Sequence, residues 1–190
     1  KCGGKRAVMA GTYAEYGYHN ENLKEDMPAE PINIYSQCKD FVRQIAQAYC
    51  KNNGISFGWG RIFSAFGKET DPRRLTSHVV NCLNANQQVI IRSGSLIRDY
   101  IYTKDIAAAF VAFLNSPVEG IVNICTGKGT SIHDYVMKLA SIIGKEDFVI
   151  FKEQSSPQQV RVVGDSTRLN KEVGFYPKYC IVKALKEIVL

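Results

Sequence analysis

Short β-rich runs alternate with longer stretches of helical spacing along these 190 residues, the order expected of an α/β protein. Residues 6–10 read as a buried strand ending at Gly11-Thr12, and a loop rich in Gly, Asn, Asp and Pro follows to about Pro31. Positions 35, 39, 42, 46 and 49 recur at helical spacing, which predicts a helix from residue 33 to about residue 51, stopped by Asn52-Asn53-Gly54. Further strands are predicted over 55–63, 88–92, 121–125 and 148–151. Helices are predicted over 76–85, from an Asp105 N-cap to Leu114, from a Ser131/Asp134 capping pair to Ile143, and over 167–173 and 181–189. Gly144 ends the third of these.

Composition narrows the classes. The net charge of +6 invites a nucleic-acid partner, yet the lysines and arginines are scattered and no aromatic-interleaved basic tract exists, so none is expected. The six cysteines lie far apart without a C-x-x-C pair, which suits neither a zinc site nor a compact disulfide framework and leads us to expect a reduced, cytoplasmic compartment. No apolar run approaches the ~18 residues of a membrane span, so no membrane partner is expected.

One motif is absent. A dinucleotide site on an α/β sheet needs a glycine-rich turn between strand and helix, because only glycine lets the backbone approach the pyrophosphate. Gly127-Lys128-Gly129-Thr130, the nearest glycine cluster, lacks that spacing. Either the chain is not a dinucleotide enzyme or it is the later part of one.

Tyr35-Ser36-Gln37-Cys38-Lys39 places a tyrosine and a lysine four apart at a helix start, on one face. An ammonium beside a phenol stabilises the phenolate, and the positive helix N-terminus acts in the same direction, so the pair suits proton exchange. Thr12, at the carboxyl end of the preceding strand, can offer a hydroxyl to a reacting oxygen. The spacing alone is weak, since Tyr100-x-x-x-Lys104 and Tyr179-x-x-x-Lys183 repeat it. Tyr100 falls in a predicted strand, where residues four apart share a face without meeting, and Tyr179 has no strand and hydroxyl upstream.

Context separates the three. The run from Val8 through Gly11-Thr12-Tyr13-Ala14-Glu15-Tyr16-Gly17 to Tyr35-Ser36-Gln37-Cys38-Lys39 resembles the active-site segment of the extended short-chain dehydrogenases that act on nucleotide sugars. Trp59-Gly60-Arg61-Ile62-Phe63-Ser64, Arg98-Asp99-Tyr100 with Asp105-Ile106-Ala107, Val122-Asn123-Ile124-Cys125-Thr126-Gly127 and Asp165-Ser166-Thr167-Arg168-Leu169 continue the resemblance in order. It implies a Rossmann-like parallel sheet with helices, plus a small C-terminal α/β substrate-binding domain. Residues 1–63 would be the later part of the Rossmann-like domain and 64–190 mainly the nucleotide-sugar domain, with 97–125 returning to the sheet. It further implies that the amino-terminal cofactor-binding half is not in this sequence, so that the chain alone binds nicotinamide poorly.

By the same resemblance, Thr12, Tyr35 and Lys39 form the catalytic triad, with Tyr35 and Lys39 also meeting an NAD or NADP cofactor. Arg98 holds the substrate pyrophosphate, a planar fork of donors suiting phosphate oxygens; the plain alternative is an ion pair with Asp99 or Asp105. Ser64 replaces the asparagine that many relatives carry in the substrate loop, and Arg161 is a poor candidate for a second phosphate-binding arginine. The family's 4,6-dehydratases place Asp-Glu directly after the threonine; Tyr13-Ala14 stand there, and Glu15 comes one residue later, on the opposite face of an extended segment. Dehydration is therefore disfavoured, and epimerase and 4-ketoreductase remain level. A non-catalytic redox sensor or scaffold of the same fold is the alternative. A homodimer through the Tyr35 helix is expected by analogy.

Overall fold

The computed structural model describes residues 3–68, 71–152 and 160–189. In chain order the first elements are β1 (Arg6–Thr12), β2 (Asn22–Leu23), α1 (Ile34–Asn52), β3 (Ser56–Ile62), β4 (Ser64–Phe66) and α2 (Leu75–Asn84). Then come β5 (Val89–Ile91), β6 (Ile97–Arg98), β7 (Tyr100–Tyr102), α3 (Thr103–Asn115) and β8 (Gly120–Ile124). β9 (Thr130–Ser131), α4 (Ile132–Ile143), β10 (Val149–Phe151), β11 (Arg161–Gly164), α5 (Thr167–Lys171) and α6 (Ile181–Val189) complete the order.

β1, β3 and β8 form a parallel sheet in the order β1-β3-β8, with α1 as the crossover between the first two. Side chains alternate along β3. Phe57 and Trp59 pack with Cys50 of α1, while Gly58 and Gly60 point the other way beneath α3. There is no room there for a side chain: a Cβ on Gly60 would lie 2.6 Å from the Phe110 ring. Glycine in this strand is thus the residue that lets α3 settle onto the sheet.

The remaining strands are short. β2, β11, β6 and β9 make one small sheet in that order, and β5–β10 and β4–β7 make parallel pairs. Phe66, Tyr100, Val79, Leu139 and Leu185 belong to the core gathered between α2, α4 and α6. Tyr100 and Tyr135 stack within it at a centroid separation of 4.0 Å. The five described cysteines are free, and no described helix is long and apolar enough to cross a membrane.

Three expectations need correction. β1 is not a buried strand: it is bonded on one edge only among the described residues, and Met9 and Ala10 are exposed. Asp105 does not cap α3. The helix starts two residues earlier with Tyr102 as N-cap, and the buried Asp105 carboxylate accepts the backbone N–H groups of Lys178 and Tyr179, both at 3.0 Å. Finally, α1 turns Tyr35, Val42 and Tyr49 outward and buries Ser36, Asp40 and Cys50. The Asp40 carboxylate is tolerated inside because Arg43 Nε (2.8 Å) and Gln44 Nε2 (2.6 Å) donate to it.

Candidate active site

At the carboxyl end of β1 the chain leaves the sheet and closes a four-residue 3₁₀ turn, Tyr13–Tyr16. Thr12 caps that turn: its Oγ1 accepts from Ala14 N–H at 3.3 Å, and its own N–H donates to Glu15 Oε1 at 2.9 Å. Glu15 is completely buried. Its carboxylate also accepts from Trp59 Nε1 and, at 2.8 Å, from Arg61 Nε on the paired strand. The guanidinium of Arg61, itself 1% exposed, lies 4.0 Å from the centroid of the Tyr16 ring. Burial pushes the Tyr16 phenol up to about 12, although Arg61 opposes the shift. Gly11 completes the packing, since a Cβ there would fall 2.1 Å from the Trp59 indole nitrogen.

Facing this strand end is the first turn of α1. Asn33 caps the helix by accepting Ser36 N–H at 2.9 Å, which presents Tyr35 at the rim and Lys39 one turn on. Lys39 Nζ donates to the Ala10 carbonyl at 3.1 Å, tying the helix to β1. Tyr35 is 58% exposed, and its hydroxyl has no hydrogen-bond partner among the described residues.

Thr12, Tyr35, Lys39 and Ser64 all border one cleft of about 600 Å³, so four of the five residues singled out in the sequence come together. Arg98 does not line it. Its Nη1 donates to the carbonyls of Ile97 (2.8 Å) and Val160 (3.2 Å), and it pairs with neither Asp99 nor Asp105. Asp99 instead accepts from the Thr126 hydroxyl and from the N–H groups of Thr126, Gly127 and Gly164. Burial still pushes its carboxyl above the usual range. Arg161 is likewise engaged elsewhere, on Asn22 Oδ1 at 2.6 Å.

Asn33, Arg74 and Thr76, none of them a site candidate from sequence, also line the cleft, as does Tyr100, set aside there as a strand tyrosine. Arg74, at the N-cap position of α2, was findable as an arginine just ahead of an apolar helix pattern. Tyr100 closes the cleft from β7, and burial raises its phenol to about 12. In the other two Tyr-x-x-x-Lys pairs the lysine lies outside the cleft: Lys104, four residues from Tyr100, is bonded to Glu187 at 2.6 Å, and Lys183 sits 4.8 Å over the Tyr179 ring as a cation–π contact.

The curated relatives and solved structures similar to this chain perform more than one reaction. UDP-glucuronic acid decarboxylase 1 of Xenopus tropicalis is 23% identical over 195 residues, covering 98% of this chain and 46% of that protein. UDP-glucose 4-epimerase of Thermotoga maritima, solved with UDP-glucose, superposes with a TM-score of 0.89 at 22% identity, over 98% of this chain and 63% of that one. dTDP-glucose 4,6-dehydratase of Bacillus anthracis, solved with NAD, gives 0.85 at 21% identity, over 96% and 60%. The chain spans about half the length of the curated relatives it matches. These structures share its α/β fold, and the model of one family matches residues 1–125: the chain belongs to the NAD-dependent epimerase/dehydratase family.

Proposed function

We propose that this chain supplies the acid/base and sugar-holding part of an NAD- or NADP-dependent nucleotide-sugar enzyme, an epimerase or a 4-ketoreductase. The carrying observation is that Thr12, Tyr35 and Lys39, from a strand end and a helix start, border the same cleft. In this reading the Tyr35 hydroxyl gives or takes the proton at the sugar carbinol oxygen, and the Thr12 hydroxyl holds that oxygen in place. Lys39, anchored by the Ala10 carbonyl, sets a positive charge beside Tyr35 and has two N–H donors left. Those donors and the exposed Tyr35 rim fit the ribose end of a nicotinamide cofactor, which supplies the hydride acceptor or donor when bound. Arg74, already at the cleft, is placed to meet the substrate pyrophosphate, whereas Arg98 would first have to release the Val160 carbonyl.

Dehydration is disfavoured on chemical grounds. Tyr13 and Ala14 offer no carboxyl group, and Glu15 spends both oxygens on Thr12, Trp59 and Arg61 inside the protein. The reading includes a homodimer through the outer face of α1, where Phe41, Val42 and Ile45 are exposed; a monomer by light scattering removes that part.

The deciding experiment incubates the full-length protein with a panel of UDP- and dTDP-sugars, with and without NADH or NADPH. A stereoisomer of unchanged mass identifies an epimerase, and reduction of a 4-keto sugar with cofactor consumption identifies a ketoreductase. A product lighter by one water overturns the exclusion of dehydration. Tyr35→Phe with wild-type turnover overturns the proton-transfer role.

A further inference from the structure

We propose that Glu15 is the positioning residue of this cleft: its buried carboxylate clamps the Thr12 backbone and so fixes the direction in which the Thr12 hydroxyl faces the sugar. The inference rests on the reading of Thr12 as the hydroxyl that holds the reacting oxygen. It goes further in assigning a role to a carboxylate that touches no substrate.

A hydroxyl at the last residue of a strand is poorly placed for exact work, since the ladder stops there and the backbone is free to swing. Here the Thr12 N–H is donated to Glu15 Oε1 at 2.9 Å. In return the Thr12 side chain accepts from the backbone of the turn, so residues 12 and 15 cap one another. Such boxes ordinarily sit in solvent, where the carboxylate can rotate. In this one Trp59 Nε1 bridges both oxygens (3.1 and 3.0 Å) and Arg61 Nε holds the second at 2.8 Å. Two donors from fixed directions leave the carboxylate one orientation, and hence Thr12 N–H one acceptor position.

The charges sharpen the assignment. Taking Glu15 and Arg61 out of water costs several kcal/mol per ion, and apolar residues of similar volume can fill such a space at no loss of stability. An apolar side chain could replace the pair as packing, but it could not accept the Thr12 N–H. That hydrogen bond is what the carboxylate adds.

The test uses the full-length protein and substitutions that separate packing from positioning. Glu15→Leu with Arg61→Met removes the ion pair and the acceptor together, whereas Glu15→Gln with Arg61→Met removes the charges and keeps a carbonyl for Thr12 N–H. Turnover is measured with the nucleotide sugar that the panel above identifies, and Thr12 amide exchange is read by NMR without substrate. The Leu/Met protein is expected to lose about 10- to 100-fold in kcat with KM nearly unchanged, and to exchange the Thr12 amide faster. The Gln/Met protein should recover most of both. Thr12→Val should abolish the difference between the two, because Glu15 acts through Thr12. If Leu/Met fails to fold, Glu15→Asp keeps the charge but withdraws it from Thr12 N–H, and is expected to lower kcat in the same way. Wild-type kcat in Leu/Met or Glu15→Asp, beside an inactive Thr12→Val, overturns the inference alone. Wild-type kcat in Thr12→Val overturns the reading beneath it, and the inference falls too.

Discussion

The two banks of the cleft are built on opposite plans. On the strand side Thr12 is 7% exposed and backed by a buried set of Glu15, Trp59, Arg61 and Tyr16, each held by at least one side-chain hydrogen bond. On the helix side Tyr35 stands in the open, and Lys39 reaches back by a single bond to Ala10. One bank is stiff and couples function to stability; the other leaves its reactive group without a hydrogen-bond partner among the described residues, so that substitutions there can be read as chemistry.

That contrast can be broken most forcefully at Tyr35. Its phenylalanine variant in the full-length protein is expected to lose about 10²- to 10⁴-fold in turnover, the usual worth of a positioned acid/base. Unfolding should stay within about 0.5 kcal/mol of wild type because the hydroxyl makes no bond among the described residues. A large fall in melting temperature would erase the distinction between the banks. Next in size is Gly11→Ala on the stiff side, where the new methyl meets Trp59 and Glu15. A loss of about 1–3 kcal/mol is expected by denaturant unfolding, together with a lower kcat as Thr12 shifts.

Alkaline titration probes the same bank. Tyr16 and Tyr100 both have folded values near 12, raised by burial above the unfolded value of about 10. The stability they contribute is intact below about pH 10 and is lost as pH rises toward 12. Tyrosinate absorbance from these two should therefore appear only as pH approaches about 12, together with the loss of stability. The smallest effect is expected at Tyr179→Phe, which removes the hydroxyl from a Tyr-x-x-x-Lys pair outside the Thr12 cleft; turnover within about twofold of wild type would show that spacing without a facing strand end carries no chemistry.

Much of this was legible in the sequence because it depends on local order. Helical spacing gave α1, Ser131 and Gly144 marked the ends of α4, and the ordered motifs brought Thr12, Tyr35, Lys39 and Ser64 to one place. What escaped depends on partners distant in the chain. Glu15 was read on an extended segment, but the backbone turns after Thr12 and swings the carboxylate inward. There it meets Arg61, which the β1–β3 register sets beside Gly11. The inward stripe of α1 escaped for a different reason: it is made of Ser36, Asp40 and Cys50, which a search for apolar periodicity cannot see. Asp105 was given to the start of its own helix because nothing local reveals that Lys178 and Tyr179 arrive to claim it.

The inner side of α1 has a practical corollary. Because Lys39 of α1 is bonded to the Ala10 carbonyl of β1 and Cys50 packs against Phe57 and Trp59 of β3, the rotation of α1 about its axis is set from its inner side. The oily outer side takes no part in aiming Tyr35. Exchanging Phe41 and Ile45 for glutamate should therefore break the proposed homodimer while the reactive phenol keeps its heading, so that pairing and chemistry can be altered separately.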